Sequence, residues 1–287
     1  MPKLRLYMLL LVIAIVAVLG ASAILKLAPG KSHTGSSTAP FPAALTPNLP
    51  PAAAQKPTRL TPAQKLVATR ILIQEELATV PEFADFFDRF KSAFPSAHKR
   101  ILDGFVDAAL KGSRIESADL YLAQALRGLR ASHGILAANA SAPALERVFQ
   151  LQAATLNSLA KQDPKLCADF LFGAASRGFF KFSAANRKLV ANMANAGLAA
   201  IIDGKQNRIE RQTPAPAEFG QLEAALKNRK LQKPEIEMLL DAKMPEPALA
   251  DATVCKAGQS YFEALAQLPE DLRMKIYALA VKLLARS

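Results

Sequence analysis

The residues able to do chemistry in this sequence are few and scattered, and the two cysteines, Cys167 and Cys255, are the most informative of them. They stand 88 positions apart, in no C-x-x-C or zinc-ligand spacing, so the usual thiol-redox and structural-zinc signatures are missing. Each follows by four residues an aspartate, Asp163 or Asp251, that reads as a helix cap. Two helices packed side by side with their starts level would bring the thiols within bonding range. A disulfide closing that loop stabilises a fold by about 4 to 5 kcal/mol on chain-entropy grounds. The alternative is a pair of buried free thiols, and the compartment decides, because disulfides persist only in oxidising surroundings.

Other candidates carry less. The histidines, His33, His98 and His133, show no H-x-x-x-H or H-E-x-x-H spacing, and no metal site is predicted. Gly30-Lys31-Ser32 imitates the end of a phosphate-binding loop, but Leu25 stands where that loop requires glycine. No serine occupies a G-x-S-x-G elbow. The pairs Asp85/Asp88 and Asp103/Asp107 recur at helical spacing and read as wet faces. Glu75, Glu116 or Glu263 would act as the acid of a wall-glycan hydrolase only if an apolar cleft raised its pKa, and nothing singles one out. No catalytic residue, cofactor or small-molecule substrate is predicted. The run from Gly178 to Phe182, GFFKF, interrupts the helical pattern and offers Phe179, Phe180 and Phe182 as a contact for a partner, the plainer reading being a buried connection.

Helices must position these groups. Alanine contributes heavily to a hydrophobic content of 51%, tryptophan is absent and glycine is sparse at 13 of 287 residues, a balance that favours helix over sheet. Proline stands at or just before the start of a periodic apolar segment at Pro62, Pro81, Pro95, Pro143, Pro164, Pro234 and Pro269, where its fixed φ suits a first turn and its missing N–H costs nothing. Helices are expected near 62–79, 82–93, 97–111, 117–132, 143–161, from 164, from Ser183 to about 204, 216–231, 234–242, from 251 and from 269 to the end. Phe83, Phe86, Phe87, Phe90 and Phe94 form a dense stripe at helical spacing, read as core. The fold class expected is all-α: an irregular globular bundle of about ten helices over 62–287, with a polar, Pro-containing loop or subdomain break near 204–217. The basic cluster Lys227, Arg229, Lys230 and Lys233 reads as a solvated helix end.

The amino terminus places that bundle. Leu6 to Leu25 is a run of twenty uncharged residues preceded by Lys3 and Arg5, and at about 1.5 Å per residue a helix of that length crosses a hydrocarbon core of roughly 30 Å. Residues 1–28 are therefore expected to be a transmembrane anchor. Ala21-Ser22-Ala23 offers a signal-peptide cleavage site, but Ile24 and Leu25 carry the run past it. Residues 29–61 hold seven prolines and no periodic apolar face and read as a disordered linker.

Net charge is +12, but residues 1–60 carry six basic side chains and no acid, leaving 30 basic against 24 acidic for the bundle. That balance gives no nucleic-acid footprint. The expectation is a single-pass protein of the inner (cytoplasmic) membrane. Its helical domain faces the periplasm or the exterior and binds an envelope protein or wall polymer, with the membrane itself engaged through the N-terminal helix. A wall-active hydrolase and a cytoplasm-facing adaptor are the alternatives.

Overall fold

Local signals start most of the helices. The computed structural model describes residues 60–286 apart from 174, 175, 242 and 244, and these form twelve α-helices and no strand. The expected anchor over 1–28, and all of the linker but its last two residues, lie outside the described residues. Among the described residues no helix is long and apolar enough to cross a membrane.

Helix α1 (Pro62–Ala78) opens on a capping box, in which the Thr61 hydroxyl accepts from the Gln64 N–H and the Gln64 side chain accepts from the Thr61 N–H. A 3₁₀ turn, Pro81–Phe83, leads into α2 (Ala84–Ala93), and Pro95 opens α3 (Pro95–Leu110). α4 (Ala118–His133) is capped by Ser117 and runs into a second 3₁₀ segment, Gly134–Asn139. There follow α5 (Ala142–Gln162), α6 (Pro164–Leu171) capped by Asp163, α7 (Arg177–Ala185) capped by Ser176, and α8 (Arg187–Asn207). The chain ends in α9 (Pro216–Asn228), α10 (Lys233–Asp241), α11 (Asp251–Ala266) and α12 (Glu270–Leu284).

The two longest helices, α5 and α8, pack together at the centre, with α6, α11 and α12 laid against α5. Helices α1 to α4 flank this centre on one side, and α9 and α10 reach it through α11. One apolar cluster extends from Ile73 to Val281 and takes in Phe83, Phe86, Phe90 and Phe94 of the predicted stripe. At the centre the rings of Phe149 and Tyr277 stack with centroids 3.7 Å apart.

Two glycines permit close approaches. A Cβ at Gly204 in α8 would collide with the carbonyl group of Leu136, so this position lets the 3₁₀ segment lie directly on α8. A Cβ at Gly258 in α11 would stand 2.9 Å from the methyls of Leu171 in α6.

The structure revises several local readings. The described residues form twelve α-helices rather than about ten, and the one with no counterpart among the expected segments is α7, which contains the GFFKF run instead of being interrupted by it. Ser183 belongs to α7 and does not cap the helix after it; α8 starts at Arg187. Ser141 stands at the N-cap of α5 without a capping bond, and its hydroxyl donates to Asp203 at 3.1 Å. Asp251 is the first residue of α11, and Ala250 holds the cap position. The polar connection after α8 is tied down: the Ile209 N–H donates to the Asn139 carbonyl at 2.9 Å, and Arg211 donates to the Ala138 carbonyl at 3.3 Å.

Candidate functional site

The cysteines meet where α6 crosses α11. Cys167 is the fourth residue of α6 and Cys255 the fifth of α11, so the two starts are nearly level. Their Cα atoms are 5.4 Å apart, with the sulfurs at disulfide distance. Both side chains are buried, beside the close contact of Gly258 with Leu171. Covered in this way, the pair is a clamp between two helices and not an accessible thiol couple.

The phenylalanines of the GFFKF run divide. Phe179 and Phe182 are each 1% exposed, and the Phe179 ring packs against Phe170 of α6 with centroids 5.9 Å apart. Only Phe180 keeps a partly exposed ring. A helix with Phe at both i and i+3 turns those two side chains to one face, and in α7, which starts after its Ser176 cap, that face meets the core.

His33 lies outside the described residues. His98 of α3 meets the edge of Phe90, with centroids 5.5 Å apart, and His133 at the end of α4 stacks on Phe94 at 4.4 Å. Lys205 of α8 holds its ammonium 4.9 Å from the centroid of the same Phe94 ring. Burial pushes the pKa of His98 down, and nearby Lys91 adds to this against an opposing Asp88. Burial likewise lowers His133, with Arg100 and Lys205 acting in the same direction. Among the described residues no group of three or more His, Cys, Asp or Glu side chains is placed to hold a metal ion.

The acidic candidates are dispersed over the surface. Asp103 bridges Arg70 of α1 at 2.5 Å and Lys99 at 2.6 Å, and the hydrogen bond from Lys99 is the main reason its carboxyl is held below the usual range. Asp85 pairs with Arg89 and Glu263 with Arg229. Glu75 and Glu116 are exposed. None of these stands in the apolar cleft that a general acid would need.

The buried carboxylate is one the sequence did not flag. Asp119 in α4 accepts from the Ser183 hydroxyl at 2.6 Å and from Arg187 at 3.3 Å, joining α4 to α7 and α8. The sequence signal for it was slight: a lone acid in the first turn of a helix, 64 residues from its serine partner.

Two concavities among the described residues are lined by core side chains. The larger, about 460 Å³, opens between α9, α10, α11 and α12. Leu222, Ile236, Tyr261 and Ile276 supply apolar lining, and Lys227 and Glu237 are among its charged residues. Burial pushes the Tyr261 phenol far up, so it stays protonated and neutral. Three of the four residues of the basic cluster are already committed: Lys227 to Glu223 at 2.6 Å, Lys233 to Glu237 at 3.6 Å, and Arg229 to Glu263. The smaller cavity, about 100 Å³, is lined by residues of α4, α5, α8 and α12, among them Gly197. A Cβ at that glycine would face open space.

The arrangement offers an apolar, charge-bordered cleft and a centre in which two cysteines lie at disulfide distance. Comparison with known proteins found no family model, no curated protein and no solved structure that matches the chain.

Proposed function

We propose that the chain is a single-pass, membrane-tethered protein whose helical domain lies outside the cytoplasm and binds another envelope protein rather than turning over a substrate. The observation that carries this reading is the Cys167–Cys255 pair, buried and at disulfide distance between α6 and α11. Such a clamp persists in an oxidising compartment. The uncharged run from Leu6 to Leu25 supports the tether, and the Pro-rich segment after it gives the domain reach. The cleft between α9 and α12 is where a partner's apolar side chains fit, since it joins an apolar lining to a border of paired charges, the pattern of an apolar centre with a polar rim.

Protease accessibility of a C-terminally tagged chain, combined with thiol labelling before and after reductant, tests this reading. The expected result is a membrane-bound tag open to protease from the outer side, and thiols that label only after reduction and unfolding. A tag protected in intact cells but open in inverted vesicles would assign the domain to the cytoplasm. Cross-linking from Lys227, at the cleft border, is expected to capture an envelope protein and to be lost with Phe219→Arg, a change at a partly exposed residue of the lining.

A further inference from the structure

The centre of the bundle is not completely filled. Between α4, α5, α8 and α12 lies the cavity of about 100 Å³ described above, walled by apolar side chains such as Leu129, Val148, Ile201 and Val281. The packing shows how it arises. Helices α4 and α8 each rest on the 3₁₀ segment Gly134–Asn139 but scarcely on each other. Gly197 of α8 widens the gap, because a Cβ there would meet no atom within 4 Å. Protein cores rarely leave a void larger than a water molecule, so a space of this size beside the two longest helices is a cost to the fold.

A second cost falls at the same place. Tyrosines aside, four polar or charged residues are buried among the described residues: Asp119, Gln152, Thr155 and Ser183. Ser183 donates to Asp119, and Thr155 donates to the Leu151 carbonyl. Gln152 of α5 differs from these three. It is 3% exposed and lines the cavity, and its amide hydrogen-bonds to none of the described residues. A buried amide without a partner has given up its hydration for nothing in return. Leucine at that position would reduce the void and remove the orphaned amide together, so both costs point to an occupant.

The lining sets the chemistry of that occupant. Its walls favour hydrocarbon, and the Gln152 amide, with N–H donors and an oxygen acceptor, matches one hydroxyl or carbonyl group. Arg130, the charged residue of the lining, already has a partner within the chain, which leaves a neutral molecule. The lining residues Leu126, Arg130, Met193 and Gly197 keep some exposure and lie on α4 and α8, so the entrance is between those helices. An apolar cavity of roughly 150 Å³ takes up benzene, and the smaller volume here, with its open side, suits a molecule of about that size.

We infer that this cavity binds a small neutral molecule, a ring or short branched chain of about six heavy atoms bearing a single hydroxyl or carbonyl group that hydrogen-bonds to Gln152. The site is independent of the tether and of the cleft beside Tyr261.

Phenol, benzene and benzoate, each titrated into the full chain with isotope-labelled methionine methyls and followed by NMR, test it. The chain has six methionines; Met193 lines the cavity, and its signal is assigned with Met193→Leu. The expected result is a saturable shift of the Met193 methyl with phenol, binding about fivefold weaker with benzene, which lacks the hydroxyl, and no binding of benzoate. Gln152→Leu is expected to erase the preference for phenol while benzene still binds. Gly197→Leu is expected to occupy the space and abolish both, with a thermal midpoint at or above that of the wild type.

Absence of a saturable shift with phenol would overturn the inference and leave a hydrated packing defect. Equal affinity for phenol and benzene in the wild type would also overturn it, since Gln152 would then recognise nothing. Benzoate binding more tightly than phenol would assign the cavity to an anion on Arg130 instead, and phenol binding unchanged in both variants would place the phenol elsewhere.

Discussion

Helices α6 and α1 owe their existence to different causes. α6 is eight residues long and buries five of them; α1 is seventeen long and buries one. An isolated helix of two turns is unstable in water, and even seventeen residues is marginal. α6 is therefore held by what surrounds it: the disulfide-distance contact with α11, the Phe170–Phe179 rings and the close fit of Leu171 on Gly258. α1 relies on local means, with Pro62 in its first turn and a complete capping box, and on a few side chains that reach its neighbours: Ile73 and Leu77 at the core, Arg70 on Asp103, and Glu76 accepting from the Ala118 N–H at 3.1 Å. A helix stabilised from within its own sequence can leave one side unburied, whereas one stabilised by its neighbours cannot.

That contrast can be broken from either end. The largest effect is expected from Cys167→Ala with Cys255→Ala under oxidising conditions, which should lower unfolding stability by about 4 kcal/mol in urea titration, while adding reductant to the wild type should produce a similar loss. A double variant as stable as the oxidised wild type would show that α6 is held by packing alone. Next comes a pair of substitutions within α1. Ile73→Ala should cost about 3 kcal/mol through lost burial and a cavity, and Ile71→Ala at most about 0.5 kcal/mol; equal costs would mean that the outer side of α1 is covered within the fold. Thr61→Ala, which removes one half of the capping box, should cost about 1 kcal/mol and show first as faster amide exchange in the opening turn of α1.

The smallest expected effect depends on pH. Two of the three histidines, His98 and His133, lie in α3 and α4, and α5 to α12 contain none. In both, the folded pKa is lowered from an ordinary value of 6.5. The unfolded chain therefore takes up protons first as pH falls through 6.5, and stability declines between that pH and the lower native values. The contribution is complete above about 6.5. Hydrogen exchange at pH 5.5 against 7.5 should show earlier opening of α3 and α4 at the lower pH, with α6 and α11 changing less; uniform loosening would remove the distinction between the two regions.

Much of this architecture was legible in the residues. Every proline read as a helix start stands in a first or second helical position, at the opening of a 3₁₀ turn, or, for Pro269, at a cap. The aspartate-to-cysteine spacing placed the two thiols near one level, and they are at disulfide distance. The phenylalanine stripe reads as core and is core at Phe83, Phe86, Phe90 and Phe94. Less was legible at α7, where an aromatic run with few strong helix formers is helical because Phe179 and Phe182 have a core to enter. Ser183 has every property of a cap by type, yet a buried carboxylate 64 positions away engages its hydroxyl.

By itself the sequence determined the helical class and the starts of most helices, because proline geometry, capping and apolar period act within a few residues of one another, while it left the two cysteines open between a bonded pair and buried thiols. Only the tertiary structure decided that Gly204 admits the Leu136 carbonyl, that Asp119 joins three helices, that a cleft opens beside Tyr261, and that the outer side of α1 goes uncovered. Those features depend on which surfaces arrive opposite one another, and residues far apart in the chain set that distance together.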